Sequence, residues 1–258
     1  MRVSLIAAMA LMLLLLVTWL SLSALDSDAE RFDRALSALD HFSATESDLR
    51  RDALSARSGL LRNYDPLVHE VDALDASVAQ LRVVAAADAP VAAAIEGLAD
   101  LVSRQEELIE TFKSDNALLQ NSLTYFNRYS LRLAAADPTE PVVAAVSALA
   151  AGMLRLTLDT SEAMALQVQT LADAVERTPT RSADVDTVAA LLAHARLLHD
   201  LLPATDGALK SLRAVGEDRA QEAVRTMVLT RQATSRTSAR RFRLLLYVTS
   251  LALIGCLV

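Results

Sequence analysis

Cysteine, glycine, aromatic residues and surplus positive charge are all scarce in this chain, and each scarcity excludes something. One cysteine, Cys256, stands among 258 residues. An intrachain disulfide and a cysteine zinc site are therefore ruled out, and its apolar surroundings give no nucleophile. Glycine occurs six times and never as a rich run, so no phosphate-cradling loop is present. Aromatics make up 4% of a chain that is 53% hydrophobic. The apolar content is mainly Ala and Leu, which lose little freedom in a helix, whereas β-branched and aromatic residues lose more. No alternating run survives long enough to predict a strand. The net charge is -7 and the middle of the chain shows no basic face, which argues against nucleic acid as a partner. No His/Asp/Glu metal spacing and no nucleophile–base pair stands out. Enzyme activity within this chain is not expected, and no cofactor is implied.

Long uncharged runs are confined to the ends. Ser4–Leu25 holds no charged residue and is preceded only by Arg2. A helix of that length crosses a hydrocarbon core of roughly 30 Å. Residues 1–25 are therefore predicted to be an uncleaved transmembrane anchor. A cleaved signal peptide, with Ser21-Leu22-Ser23 as its processing site, is the competing reading. At the other end Leu244–Val258 is uncharged but shorter than the roughly 20 residues a span needs. Residues 242–258 are expected to begin a second span. Arg240, Arg241 and Arg243 stand just before it, on the side that the positive-inside bias would place in the cytoplasm. Long intervening segments translocate largely regardless of charge, so residues 26–241 are assigned outside the cytoplasm.

Between the ends, prolines punctuate the chain at Pro66, Pro90, Pro138, Pro179 and Pro203. Each disfavours helix at the residue before it. The predicted helices fall near 24–63, 67–87, 91–135, 140–177, 183–202 and 206–243. At about 1.5 Å per residue the first would be roughly 60 Å long and the second and fifth about 30 Å. Long helices beside half-length ones predict an all-α fold of two stacked helical bundles, flanked by the two membrane helices. Apolar stripes at three-four spacing support this. One runs through Phe32, Leu36 and Leu39 and, on the same face, Arg50, Leu54, Arg57 and Leu61. Others run through Val142, Val146, Leu149 and Met153, and through Leu191, Ala195, Leu198 and Leu202. The last helix offers only a seven-residue beat through Ala223, Thr230 and Thr237.

Polar residues inside such stripes are the candidate site. In Lys113–Phe126, KSDNALLQNSLTYF, residues Leu119, Leu123 and Phe126 share a stripe with Leu108 and Phe112. Asn116 projects to within about 40° of its centre, with Gln120 and Lys113 at its edge and Asn121 pointing away. A buried amide without partners costs on the order of 1–3 kcal/mol. Asn116 must therefore be paired, by a neighbouring helix, a water or a ligand. Arg50 and Arg57 sit one heptad apart on the first helix. Each offers a planar fork suited to a carboxylate or phosphate, or a pairing with Asp or Glu on a facing helix. His194, beside an apolar stripe, reads as a packing residue.

The run from Arg57 to Val68, RSGLLRNYDPLV, together with KSDNALLQNSLTYF, resembles the two signature segments of the double all-helical ligand-binding (DAHL) domain. The likeness continues through Leu191–Arg196 and Arg241–Leu245. This family is a sensor module found between two transmembrane helices of bacterial histidine kinases and related receptors. One departure is Asn127, where the family favours proline. The resemblance implies an extracytoplasmic sensor of two helical bundles. Its motif positions carried onto this chain are Arg57, Arg62, Asn63, Tyr64, Asp65, Lys113, Asn116, Gln120, Asn121 and Tyr125. Arg57 and Lys113 together would favour an anionic ligand group, with Asn116 and Gln120 reading a neutral polar part.

The expected function is the signal-sensing region of a membrane-bound sensor histidine kinase, whose catalytic part would lie beyond residue 258. It would bind a small polar ligand, with an anionic group favoured, pass a helix displacement across the inner membrane, and act as a homodimer. The alternatives are docking of a periplasmic binding protein instead of a small molecule, a chemoreceptor or cyclase output, and a coiled-coil anchor without a ligand.

Overall fold

The computed structural model describes residues 11–19, 21, 27–85, 88–135, 139–216 and 219–257. After a short helical stretch at 11–19, seven helices follow. They are α1 (Ser27–Arg57), α2 (Asp65–Ala85), α3 (Ala89–Ala134), α4 (Pro141–Leu158), α5 (Glu162–Arg177), α6 (Val185–Gly216) and α7 (Ala220–Leu257). No strand occurs among the described residues, so the all-α expectation holds. The predicted N-terminal span lies partly outside the described residues.

Several predicted boundaries are wrong: the first helix stops at Arg57, not at 63, and the segment expected at 206–243 is divided between α6, which ends at Gly216, and α7. The segment expected at 140–177 is two helices, α4 and α5, broken at residues 159–161. Ser161 caps α5, its hydroxyl accepting from the Met164 amide at 3.4 Å. The Asp159 carboxylate accepts from the Ser161 amide at 3.1 Å. Short polar side chains that compete for backbone groups stop and restart a helix without proline. Conversely, Pro203 lies inside α6 and does not end it. Proline cannot donate to the carbonyl one turn back. Here Leu198, Leu202 and Thr205 are each 0% exposed around it, and packing holds the helix together. The Thr205 hydroxyl donates to Leu201 O at 2.8 Å. Helix α3 runs for 46 residues without a break at Asn127, about 70 Å at helical rise.

The chain divides into two compact units. Unit 1 comprises residues 1–44, 73–101 and 219–258, and unit 2 comprises 45–72 and 102–218. In unit 1 the core is Ala35, Ala38, Leu39 and Phe42 of α1, Leu74, Val78 and Leu81 of α2, Ile95 and Leu98 of α3, and Val224 and Val228 of α7. The beat expected on the last helix is not this seam, because Ala223, Thr230 and Thr237 are exposed. Polar ties supplement the thin α7 core. Gln221 donates to Leu39 O at 3.1 Å, Gln232 to the Asp33 carboxylate at 3.1 Å, and Arg225 to Asp40 at 2.6 Å. The Trp19 ring meets Phe242 edge-on, with centroids 6.1 Å apart.

Unit 2 is built round Leu119, Phe126 and Leu133 of α3, the buried stripes of α4 and α5, and Leu191, Ala195, Leu198 and Leu202 of α6. The stripes read from the sequence on α3, α4 and α6 are therefore core. On α1 the expected stripe reaches the core at Leu39 and is one position off beyond it. Leu49, Ala53 and Ala56 are buried at 0%, whereas Leu54 is 60% exposed. Small alanines carry the packing face there, and the larger leucine does not. Gly152 marks the close approach of α4 and α5, since a Cβ there would lie 2.6 Å from the Leu171 methyl. Among the described residues one helix, Pro141–Leu158, is long and apolar enough to cross a membrane. Its face Val142, Val146, Leu149, Met153 and Leu156 belongs to the core of unit 2.

Candidate functional site

The site grows from the end of α1. A helix leaves its last four carbonyls without intrahelical donors. Gly59, at φ +77°, turns the chain into the left-handed region that a side chain resists. The Gly59 amide then donates to Ala56 O at 3.1 Å, and the Leu60 amide to Ser55 O at 2.9 Å. This is the two-bond helix stop that glycine favours. The Ser58 amide donates to Leu54 O at 3.0 Å. The remaining capacity is met from α3. The Asn116 amide donates to Ala56 O at 3.0 Å, and the Gln120 amide to Arg57 O at 3.1 Å. The two amides that the sequence places in an apolar stripe thus cap the end of a neighbouring helix.

The same Asn116 nitrogen donates to the Tyr64 hydroxyl oxygen at 3.0 Å, leaving the Tyr64 O–H proton for another acceptor. Asn116 is 0% exposed and its Oδ1 has no partner. Just beyond Tyr64, Asn63 and Asp65 close on each other. The Asp65 amide donates to Asn63 Oδ1 at 3.0 Å, and Asn63 Nδ2 to the Asp65 carboxylate at 2.7 Å. That local turn starts α2, with Pro66 in its first turn, where a missing N–H is harmless. Between the turn and α3 opens a cleft of about 490 Å³ lined by Gly59, Leu61, Arg62, Tyr64, Ala117, Gln120 and Thr124.

The predicted site residues are distributed as follows. Arg62, Tyr64 and Gln120 line this cleft, and Asn116 lies behind Tyr64. Arg57 does not reach for a ligand through its Nε, which donates to the Asp206 carboxylate at 2.8 Å, with the Arg57 side chain 17% exposed. Thr160 donates to the other Asp206 oxygen at 3.0 Å. Lys113 pairs with Glu110 at 2.7 Å. Asn121 is exposed. Tyr125 stacks on His194 at 5.3 Å, and Tyr129 stands 6.0 Å from the same ring. The paired cations Arg57 and Lys113 are thus spoken for, and the cation at the cleft is Arg62. Asp206 is the residue that sequence reading missed. It stands four residues after Leu202 on the α6 stripe, a signal hidden by ending that helix at Pro203.

A buried carboxyl group, Glu46, and a half-buried one, Glu70, complete the electrostatics of unit 2. Burial raises the Glu46 carboxyl above the usual range, against the opposing Arg50 charge and a hydrogen bond from Gln105. That bond, Gln105 Nε2 to Glu46 Oε1, is 2.9 Å long. Glu70 is pushed up to about 7, first by burial and then by the Asp52 and Asp48 charges, with Arg51 opposing.

Among the described residues no group of three His, Cys, Asp or Glu side chains is placed to hold a metal ion. What the fold does offer is helices joined by polar caps, with a cleft beside the cap. That defines the class: an all-helical bundle protein. A family model for the DAHL domain matches residues 27–243, and the chain belongs to the DAHL family. Domains of this family are sensing, extracytoplasmic parts of membrane sensors and are not catalytic. No solved structure matches the chain.

Proposed function

We propose that this chain is the ligand-reading part of a membrane-bound sensor histidine kinase, and that a small polar ligand carrying an anionic group occupies the cleft at Tyr64 and Gln120. One observation carries the reading. Two sequence segments over 50 residues apart supply opposite walls of one cleft, Gly59, Leu61, Arg62 and Tyr64 from the turn and Ala117, Gln120 and Thr124 from α3. Arg62 provides the always-charged fork for the anion, and the Tyr64 O–H donates beside it. The cleft borders the polar cap that fixes the end of α1 to α3, so occupancy acts directly on that joint. A ligand shifts the helices only by its difference in affinity between two arrangements.

Membrane attachment on both sides is part of the proposal. Leu11, Met12, Leu14 and Leu15 expose apolar side chains, as do Leu244, Leu245, Tyr247, Val248 and Leu251 at the end of α7. Trp19 and Phe242 meet at the border of these runs, where aromatic rings favour a membrane–water interface. The active species in this reading is a homodimer.

The test is thermal-shift and calorimetric titration of the full chain with a panel of small carboxylates and phosphates. At least one compound is expected to stabilise it, and Arg62→Ala to weaken that binding by about tenfold or more. Binding untouched by both Arg62→Ala and Tyr64→Phe overturns the cleft assignment. Retention of a soluble periplasmic binding protein, with no small-molecule shift, favours docking instead.

A further inference from the structure

A second cleft in unit 2, away from the motif segments, has a different chemistry. It encloses about 250 Å³ between α1 and α6 and is lined by Arg50, Leu54, Leu209, Lys210, Leu212 and Arg213. Three leucines and three cations line it. Helical spacing produces this arrangement. Arg50 and Leu54 are four apart on α1, Leu209 and Leu212 are three apart on α6, and so are Lys210 and Arg213, so each helix turns one mixed face toward the gap.

The composition is unusual for this chain. Acidic residues outnumber basic ones by 32 to 25, yet here three cations converge on an apolar surface. Leu54 is 60% exposed although it is a large aliphatic side chain on a packed helix. Lys210 and Arg213 are exposed. Arg50 meets Glu46 only at 3.7 Å, longer than the roughly 2.7–2.9 Å of a charge-assisted hydrogen bond. Its guanidinium can therefore accept a closer anion. Recognition sites typically join apolar walls to a few convergent polar groups.

We propose that this cleft binds a small amphiphilic carboxylate, its apolar body on Leu54, Leu209 and Leu212 and its anionic head at Arg50 and Lys210. The site is independent of the cleft at Tyr64, which is lined mainly by polar groups. Its small volume selects a compact body, of the size of a single aromatic ring or a short aliphatic chain.

Benzoate is the probe, with benzyl alcohol as its neutral counterpart and acetate as the head group alone. Each is titrated into the full chain by calorimetry and saturation-transfer NMR, against the variants Lys210→Gln, Leu54→Ser and Arg62→Ala. Both cleft positions are exposed, and unchanged circular-dichroism melts verify that these variants fold. The expected result is that benzoate binds at least about tenfold more tightly than either comparison compound, that Lys210→Gln and Leu54→Ser each weaken it about fivefold or more, and that Arg62→Ala leaves it unchanged. Equal binding of benzyl alcohol or acetate overturns the proposal. So does benzoate binding that survives Lys210→Gln and Leu54→Ser, or that disappears in Arg62→Ala.

Discussion

Asn116 is held by what its two ends require. Its nitrogen serves two acceptors, Ala56 O and Tyr64 Oη, while its oxygen is buried without a donor. Replacing the nitrogen by an oxygen would place an anion against a carbonyl in a dry site. Asn116→Asp is therefore expected to destabilise more than Asn116→Leu, which should cost about 1–2 kcal/mol through the lost hydrogen bonds. Urea unfolding of the three proteins ranks them, and Asp equal to Leu would contradict the geometry. Glu70 makes a different kind of prediction. Its carboxyl is pushed from 4.5 to about 7 in the folded chain, so between those values the folded state binds more protons than the unfolded one. Stability then falls as pH rises from about 4.5 to about 7 and levels off above. Glu70→Gln should raise the melting temperature at pH 8 and leave it nearly unchanged at pH 4.5. The opposite ordering would place the shift in the wrong direction.

At the scale of the helices, two glycines separate backbone from packing. Gly59→Ala forces a side chain into the left-handed region at φ +77°, at a cost of about 1–2 kcal/mol. Gly152→Ala crowds the terminal methyl of Leu171, a group that can rotate, and touches Val168 Cγ2 at an ordinary 3.6 Å, while it gains about 1 kcal/mol of helix propensity. It is expected to change stability by less than about 1 kcal/mol. Thermal melts of both variants test the contrast, and equal losses would refute it. The same distinction explains which elements were legible in the sequence. Periodicity located the buried faces of α3, α4 and α6, because a wide apolar stripe is a direct trace of burial. Proline was a poorer guide. At Pro203 the packing of Leu198, Leu202 and Thr205 outweighs one lost hydrogen bond, and at Asp159–Ser161 the break is made by side-chain capping. For the site, the depth of Asn116 was readable from its angle on the helix. Its partners were not, since Ala56 O lies 60 residues away and a backbone carbonyl leaves no mark in a sequence. Arg57 finding Asp206 was equally hidden once α6 was ended early.

For the molecule as a whole, family membership and the exposed apolar ends together make a topological prediction. Cys256 is the lone native cysteine, so Cys256→Ser gives a thiol-free background. Arg62→Cys in that background places one thiol at an exposed position. In intact cells with a permeable outer membrane, a maleimide that cannot cross the inner membrane should label it as fully as in lysed cells. Labelling only after lysis would put residues 26–241 on the cytoplasmic side. The edge-on contact of Trp19 with Phe242 has a further consequence. Trp19 is the chain's single tryptophan, so all indole emission comes from the place where the two terminal segments touch. Any stimulus that moves one of them past the other must alter the colour or anisotropy of that emission. The protein therefore carries its own optical gauge of the motion it would transmit, readable without a label.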